Sequence, residues 1–224
     1  MRLPGGPSLR LLCFPPAGGY AAPYRAWCAM LPPEIAVHPM DPPDGCDDVD
    51  TVLAALEPTV AAVTDRPTVL FGHSFGALIA YELAHRLRDR GLPLVRLAVS
   101  ASAAPHLVSP VTAGTGTAAR AESARVTAWF ELADRYRYRS RPPLDCPISV
   151  FGGLHDPTVA RGELAAWQEH TVGAVRLRVL PGSHDLLREG GAYVVRALER
   201  DLADDAGQDT WPPESSKGNP RVSG

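Results

Sequence analysis

At 224 residues the chain is long enough to bury one substantial core and too short for two comfortable domains. Its 45% hydrophobic and 21% charged content is that of a globular protein, and a net charge of -3 leaves no basic excess to neutralise phosphates, which argues against nucleic acid as the main partner. Met1 to Pro7 carries no apolar signal core and no apolar run reaches the length of a membrane span, so the expectation is a cytoplasmic protein with no membrane partner.

Short apolar runs alternate with longer amphipathic stretches, the pattern of an α/β domain with a mostly parallel sheet. In chain order, strands are expected at Leu9–Phe14, Ile35–Pro39, Thr68–Phe71, Leu94–Ser100, Ile148–Phe151 and Val175–Leu180. Helices are expected between them, near Tyr24–Leu31, Val49–Thr64, Ala77–Arg90, Leu164–His170 and Ala192–Leu202. Uninterrupted apolar runs such as Thr68-Val69-Leu70-Phe71 mark strands buried on both faces.

Two segments break the alternation. From His106 to Asp145 a Gly/Thr-rich piece, Thr112 to Thr117, leads into a polar helix candidate at Ala118–Arg135 and ends in Arg141-Pro142-Pro143. Such an insertion, about 106–141, reads either as a lid over the site or as a surface excursion. Residues 203–224 are rich in Asp, Gly, Pro and Ser without periodicity and are expected to be a disordered tail to a domain spanning 1–202. Cys13, Cys28, Cys46 and Cys146 are scattered, with neither a CxxC pair nor zinc-like spacing, so reduced thiols and no metal are expected.

The strongest chemical signal is Gly72-His73-Ser74-Phe75-Gly76, directly after a strand and directly before the helical run Ala77-Leu78-Ile79-Ala80-Tyr81. A serine in this pattern sits on a sharp strand-to-helix turn with its hydroxyl raised above the sheet. Gly72 and Gly76 are expected because side chains there would collide across the turn. The free N–H of Phe75 at the helix start can donate to a developing oxyanion.

A hydroxyl nucleophile needs a base, and the base an orienting acid, in the chain order Ser, Asp or Glu, His. His184 lies in the Gly-bearing loop Pro181-Gly182-Ser183-His184 after the last strand and is the only histidine beyond His170. Asp156 follows the strand Ile148–Phe151 in Gly152-Gly153-Leu154-His155-Asp156-Pro157. Asp145 lies at the wrong end of that strand, Asp185 adjoins the histidine, and Asp134 belongs to the insertion. The loop Phe14-Pro15-Pro16-Ala17-Gly18-Gly19 after the first strand permits close backbone approach, with Ala17 as the second oxyanion donor.

These residues resemble the type II thioesterases, the stand-alone thioesterases of polyketide and nonribosomal peptide biosynthesis, which have the α/β-hydrolase fold. The resemblance rests on Cys13 to Gly19, Tyr24-Arg25-Ala26-Trp27, Gly72 to Ala77, Tyr136-Arg137-Tyr138, Pro142 to Ile148 and Trp167 to Thr171, in order from about Leu11 to Leu187. It implies hydrolysis of acyl thioesters from the phosphopantetheine arm of an acyl or peptidyl carrier protein, through a covalent acyl-enzyme. It supports Ser74, Asp156 and His184 as the catalytic triad and Ala17 and Phe75 as the oxyanion hole. No cofactor is implied, since phosphopantetheine belongs to the carrier, and a monomer is expected.

The chain departs from the family pattern in three places. Pro39-Met40-Asp41-Pro42-Pro43-Asp44-Gly45 stands where a Pro-Gly-Arg element is usual. The insertion is shorter than the family's helical lid, and no aromatic follows His184. A smaller lid implies a more open pocket and bears on substrate choice. The alternate arginines 135, 137, 139 and 141 would share one side of an extended segment, readable as a docking stripe for an acidic carrier or as a solvated basic face. An esterase or acyltransferase on the same three residues, and a non-catalytic carrier-binding protein, are the alternatives.

Overall fold

The computed structural model describes residues 8–108 and 124–206. Six strands, β1 (Leu9–Phe14), β2 (Ile35–Pro39), β3 (Thr68–His73), β4 (Leu94–Ser100), β5 (Ile148–Gly153) and β6 (Val175–Leu180), form one sheet in the order β2-β1-β3-β4-β5-β6. Every pairing is parallel. The helices are α1 (Val49–Val63), α2 (Phe75–Asp89), α3 (Ala124–Asp134), α4 (Arg161–Ala165) and α5 (Leu186–Ala206), with 3₁₀ turns at Ala22–Ala29, Pro105–Leu107 and Ala166–His170.

Side chains alternate across each strand, so the sheet splits the core into two. On one face Leu12, Phe14, Leu70, Leu97, Val99, Ile148 and Val150 pack with α1, α2 and α3. On the other, Leu11, Cys13, Val69, Phe71, Ala98 and Phe151 pack with Tyr24 and Trp27 of the first 3₁₀ turn and with Val194, Val195 and Leu198 of α5. The middle strand β3 is buried at all six positions, as its apolar run requires, whereas edge strand β2 is half-buried throughout. The expected α/β architecture with helices on both faces is present, and each expected strand appears.

Three expectations need correction. β3 and β5 each run two residues further than expected, carrying the chain to the edge of Ser74 and of the Asp156 loop. The C-terminal helix reaches Ala206, so residues 203–206 are not tail: Asp205 pairs with Arg96, a fully buried arginine of β4 whose charge needs a partner. Residues 207–224 lie outside the described residues, as do 109–123, which hold the Gly/Thr-rich piece and the first part of the helix candidate.

The arginine stripe is not a row of free cations. Arg135 donates to the Asp47 carbonyl at 2.8 Å, Arg137 to the Asp134 and Tyr136 carbonyls at 2.8 Å, Arg139 pairs with Asp50 at 2.5 Å and Arg141 with Glu82 at 2.7 Å. The intervening Tyr136 turns inward and donates to the same Glu82 at 2.9 Å. Alternation is real, but its cationic side is engaged by the fold.

Candidate active site

The site forms where the carboxyl ends of β3, β5 and β6 meet, the end at which open α/β sheets bind ligands. Ser74 links β3 directly to α2 with φ 53° and ψ -123°, a left-handed backbone that a residue with a Cβ adopts only at a cost. Its N–H continues the ladder to the Ser100 carbonyl at 2.7 Å. The turn is tight enough that a methyl on Gly72 would strike the Gly76 backbone, and one on Gly76 would strike the carbonyls of Phe14 and Pro15. The second clash means that the loop after β1 is pressed against the start of α2.

The loops after β5 and β6 are stitched together. Leu154 N–H donates to the Leu180 carbonyl at 2.8 Å and His155 N–H to the Gly182 carbonyl at 2.9 Å. A side chain on Gly153 would meet the carbonyls of Gly182 and Ser183. This stitching brings His184 beside Asp156, with Nδ1 2.9 Å from Oδ2. The other ring nitrogen, Nε2, stands 3.0 Å from the Ser74 hydroxyl, across 110 residues of sequence.

Burial pushes the Asp156 carboxyl up, but hydrogen bonds from His184 and from the hydroxyl and N–H of Thr158 outweigh it and hold the group at about 2. The carboxylate is therefore ionised at neutral pH, although its side chain is only 2% exposed. An ionised acceptor places the imidazole proton on Nδ1 and leaves Nε2 free to accept from Ser74. Such a geometry allows proton removal from Ser74 as it attacks an acyl carbon, and return of that proton to a leaving group.

Around these three, Phe75 opens α2 and its N–H has no partner within the helix. Ala17 lies in the turn after β1 that Gly19 N–H closes onto the Pro16 carbonyl at 2.9 Å, and its side chain packs against the core. Tyr24 fixes the root of that turn by donating to the Phe14 carbonyl at 2.9 Å. Asp145, by contrast, precedes β5 at the opposite end of the sheet, and Asp185 pairs with Arg188 at 2.5 Å.

Sequence reasoning missed Thr158. Its hydroxyl lies 2.6 Å from Asp156 Oδ1 and 2.7 Å from His184 Nδ1, and its N–H donates to Asp156 at 2.8 Å. The signal available was Asp156-Pro157-Thr158, a spacing at which an aspartate accepts from the backbone two residues on. Among the described residues no cluster of side chains suited to hold a metal ion is found, and no helix is long and apolar enough to cross a membrane.

Comparison with known proteins gives the chain a family. Residues 9–127 match the thioesterase domain model. The gramicidin S biosynthesis protein GrsT of Aneurinibacillus migulanus is 31% identical over 87% of this chain and 89% of that protein. The AMB antimetabolite synthetase AmbE of Pseudomonas aeruginosa is 32% identical over 89% of this chain, which spans only 11% of that larger protein. Among solved structures, the type II thioesterase BorB from the borrelidin cluster is 32% identical with TM-score 0.75, covering 87% of this chain and 93% of that one. RedJ, the thioesterase of the prodiginine pathway of Streptomyces coelicolor, is 32% identical with TM-score 0.72, covering 92% and 90%.

Proposed function

The chain belongs to the thioesterase family, hydrolases that act on thioesters, and we propose that it is a type II thioesterase releasing acyl groups from carrier proteins of a polyketide or nonribosomal peptide pathway. The observation that carries this reading is the continuous relay Ser74–His184–Asp156 at the carboxyl edge of the sheet.

The proposed reaction has two steps. His184 Nε2 takes the Ser74 proton as Oγ attacks the thioester carbonyl, and the N–H groups of Ala17 and Phe75 receive the oxyanion. The phosphopantetheine thiol then leaves with the proton from His184, and an acyl ester remains on Ser74. Water, deprotonated by the same imidazole, attacks that ester; the bond to Oγ breaks, the imidazolium returns its proton to Oγ, and the free acid leaves. A thiolate is a good leaving group, so the first step demands less of the acid than amide cleavage does. No metal or resident cofactor enters either step.

The relatives named after gramicidin S, borrelidin and prodiginine production support the pathway class. The test uses purified protein, a fluorophosphonate probe and acyl groups presented as carrier thioesters and as oxygen esters. Labelling of the wild type, its loss in Ser74→Ala and faster turnover of the carrier thioester are expected. An unlabelled wild type that still binds a carrier would replace the enzyme with a binding module; transfer to an added alcohol in preference to water would replace the hydrolase with an acyltransferase.

A further inference from the structure

Helix α3 of the insertion grips the loop after β1, with Arg125 making the polar contacts to its backbone. Arg125, on α3, donates through Nη1 to the Gly18 carbonyl at 2.7 Å and to the Gly19 carbonyl at 2.9 Å. Its Nε donates to Asp44 Oδ1 at 2.7 Å, and its guanidinium lies 4.1 Å over the Tyr20 ring. One planar cation thus holds three consecutive residues of the loop that starts at Ala17, and anchors them to the loop after β2. The fork geometry of a guanidinium suits this task, because one rigid group donates in several fixed directions while its face stacks.

The same helix touches the loop and the other donor independently. A side chain on Gly18 would run into the Cα of Val126, so α3 lies directly against that glycine, whose φ of 71° is the left-handed conformation the turn needs. Trp129, one turn further, donates to Asp44 at 3.1 Å and sets its ring edge-on to Phe75 at 6.0 Å. Asp44 therefore serves as a shared acceptor for two α3 side chains that flank the two donor positions.

We propose that Arg125 is a positioning residue for catalysis: by binding the Gly18 and Gly19 carbonyls it sets the direction of the Ala17 N–H, so that the oxyanion hole is complete only while α3 is docked on the Asp44 loop. This rests on the reading of Ala17 as a donor and gives the insertion a role in rate besides any role in acyl-chain choice. The Gly18 carbonyl shares a rigid peptide plane with the Gly19 N–H, which donates to the Pro16 carbonyl at 2.9 Å, and that carbonyl shares its own plane with the Ala17 N–H, so holding Gly18 orients Ala17 through the turn. Asp44 and Arg125 come from the two regions where the chain departs from the usual family pattern, the segment after β2 and the shortened insertion.

The test compares wild type, Arg125→Ala and Arg125→Lys on the N-acetylcysteamine thioester of acetate, an acyl group too small to depend on a long-chain pocket. Positioning predicts kcat lower by about 30- to 100-fold in Arg125→Ala, below the roughly 10²–10³-fold cost of deleting an oxyanion donor outright. KM should stay within about twofold, and a boronic acid that mimics the tetrahedral adduct should lose affinity by about the same factor as kcat, while the product acid binds as before. Lysine keeps the charge but cannot span both carbonyls and Asp44, so Arg125→Lys should recover only part of the rate.

A rise in KM with unchanged kcat, or boronate and product affinities that fall together, would assign Arg125 to substrate access and overturn the proposal. Thermal melting of each variant is measured alongside. If Arg125→Ala does not fold, Arg125→Lys decides, with a wild-type kcat contradicting positioning. Failure of the underlying reading is distinct, because the wild type would then neither hydrolyse the thioester nor be acylated at Ser74.

Discussion

The Thr158 hydroxyl stands 2.7 Å from Nδ1 of His184, as near as the carboxylate of Asp156 at 2.9 Å. Its one proton is directed at Asp156 Oδ1, 2.6 Å away, so toward the imidazole it acts as an acceptor and shares the Nδ1 proton with Asp156. Thr158 thereby holds both ends of the pair that orients the base.

Thr158→Val keeps the shape and removes that link. Because Asp156 remains, the loss is put near the lower end for hydrogen bonds to charged groups, about 1.5 kcal/mol, or roughly tenfold in kcat/KM. Asp156→Asn should cost far more, about 10³–10⁴-fold, since an amide no longer dictates the Nδ1 tautomer. Steady-state rates on one thioester check both, and Thr158→Ser should restore the wild-type rate to within about threefold.

Arg96 is fully buried on β4 and donates to both carboxylate oxygens of Asp205 on α5, with Ser149 as a further acceptor at 3.0 Å. Removing only the acceptor leaves a buried cation unpaired, a change of about 3–5 kcal/mol. Asp205→Ala, or truncation after Leu202, is expected to lower the unfolding free energy by that amount, read as a fall in the urea midpoint at unchanged slope. Replacing the pair together, with Arg96→Met and Asp205→Leu, should restore most of it, and the double-mutant cycle is the measurement.

Three histidines are held neutral by the fold. Burial, then the neighbouring His106, pushes His170 down to about 4, burial chiefly lowers His85 to about 4, and burial with His184 lowers His73 to about 3. His170 is faced by the Tyr81 hydroxyl at 3.0 Å, by His106 at 2.7 Å, and by the rings of Tyr138 and Trp167; Glu169 approaches His106 at 3.7 Å. Below the ordinary histidine range near 6.5 the unfolded chain binds these protons and the folded chain does not. Stability should therefore be full above about pH 6.5 and fall as pH drops from there toward 4, by on the order of 3 kcal/mol for His170. Urea midpoints against pH should show that slope, flattened by about one proton in His170→Gln.

Much of the fold and site was legible in the chain because its signals are local. Short, mostly apolar segments located all six strands, and the glycines flanking Ser74 announced a turn whose backbone tolerates no side chain at either position. Chain order and loop placement point to Asp156 and His184 as candidates, and the fold sets them 2.9 Å apart, since a parallel sheet presents successive loops at one edge. What escaped depends on contacts between distant segments. Asp205 looks like tail composition until Arg96 is seen beneath it, and the arginines 135–141 look like a free stripe until Asp50 and Glu82 are placed opposite two of them. Arg125 and Asp44 are 81 residues apart and carry no motif, so only the docking of α3 joins them.

In the proposed reaction Ser74 carries the acyl group between two displacements. Rapid-quench mass spectrometry of the protein mixed with an acyl-loaded carrier tests it most directly. A transient mass increase equal to the acyl group is expected, mapped to the peptide containing Ser74 and absent in Ser74→Ala, which should not turn over. Hydrolysis by Ser74→Ala at the wild-type rate, or an adduct on any other residue, would contradict it.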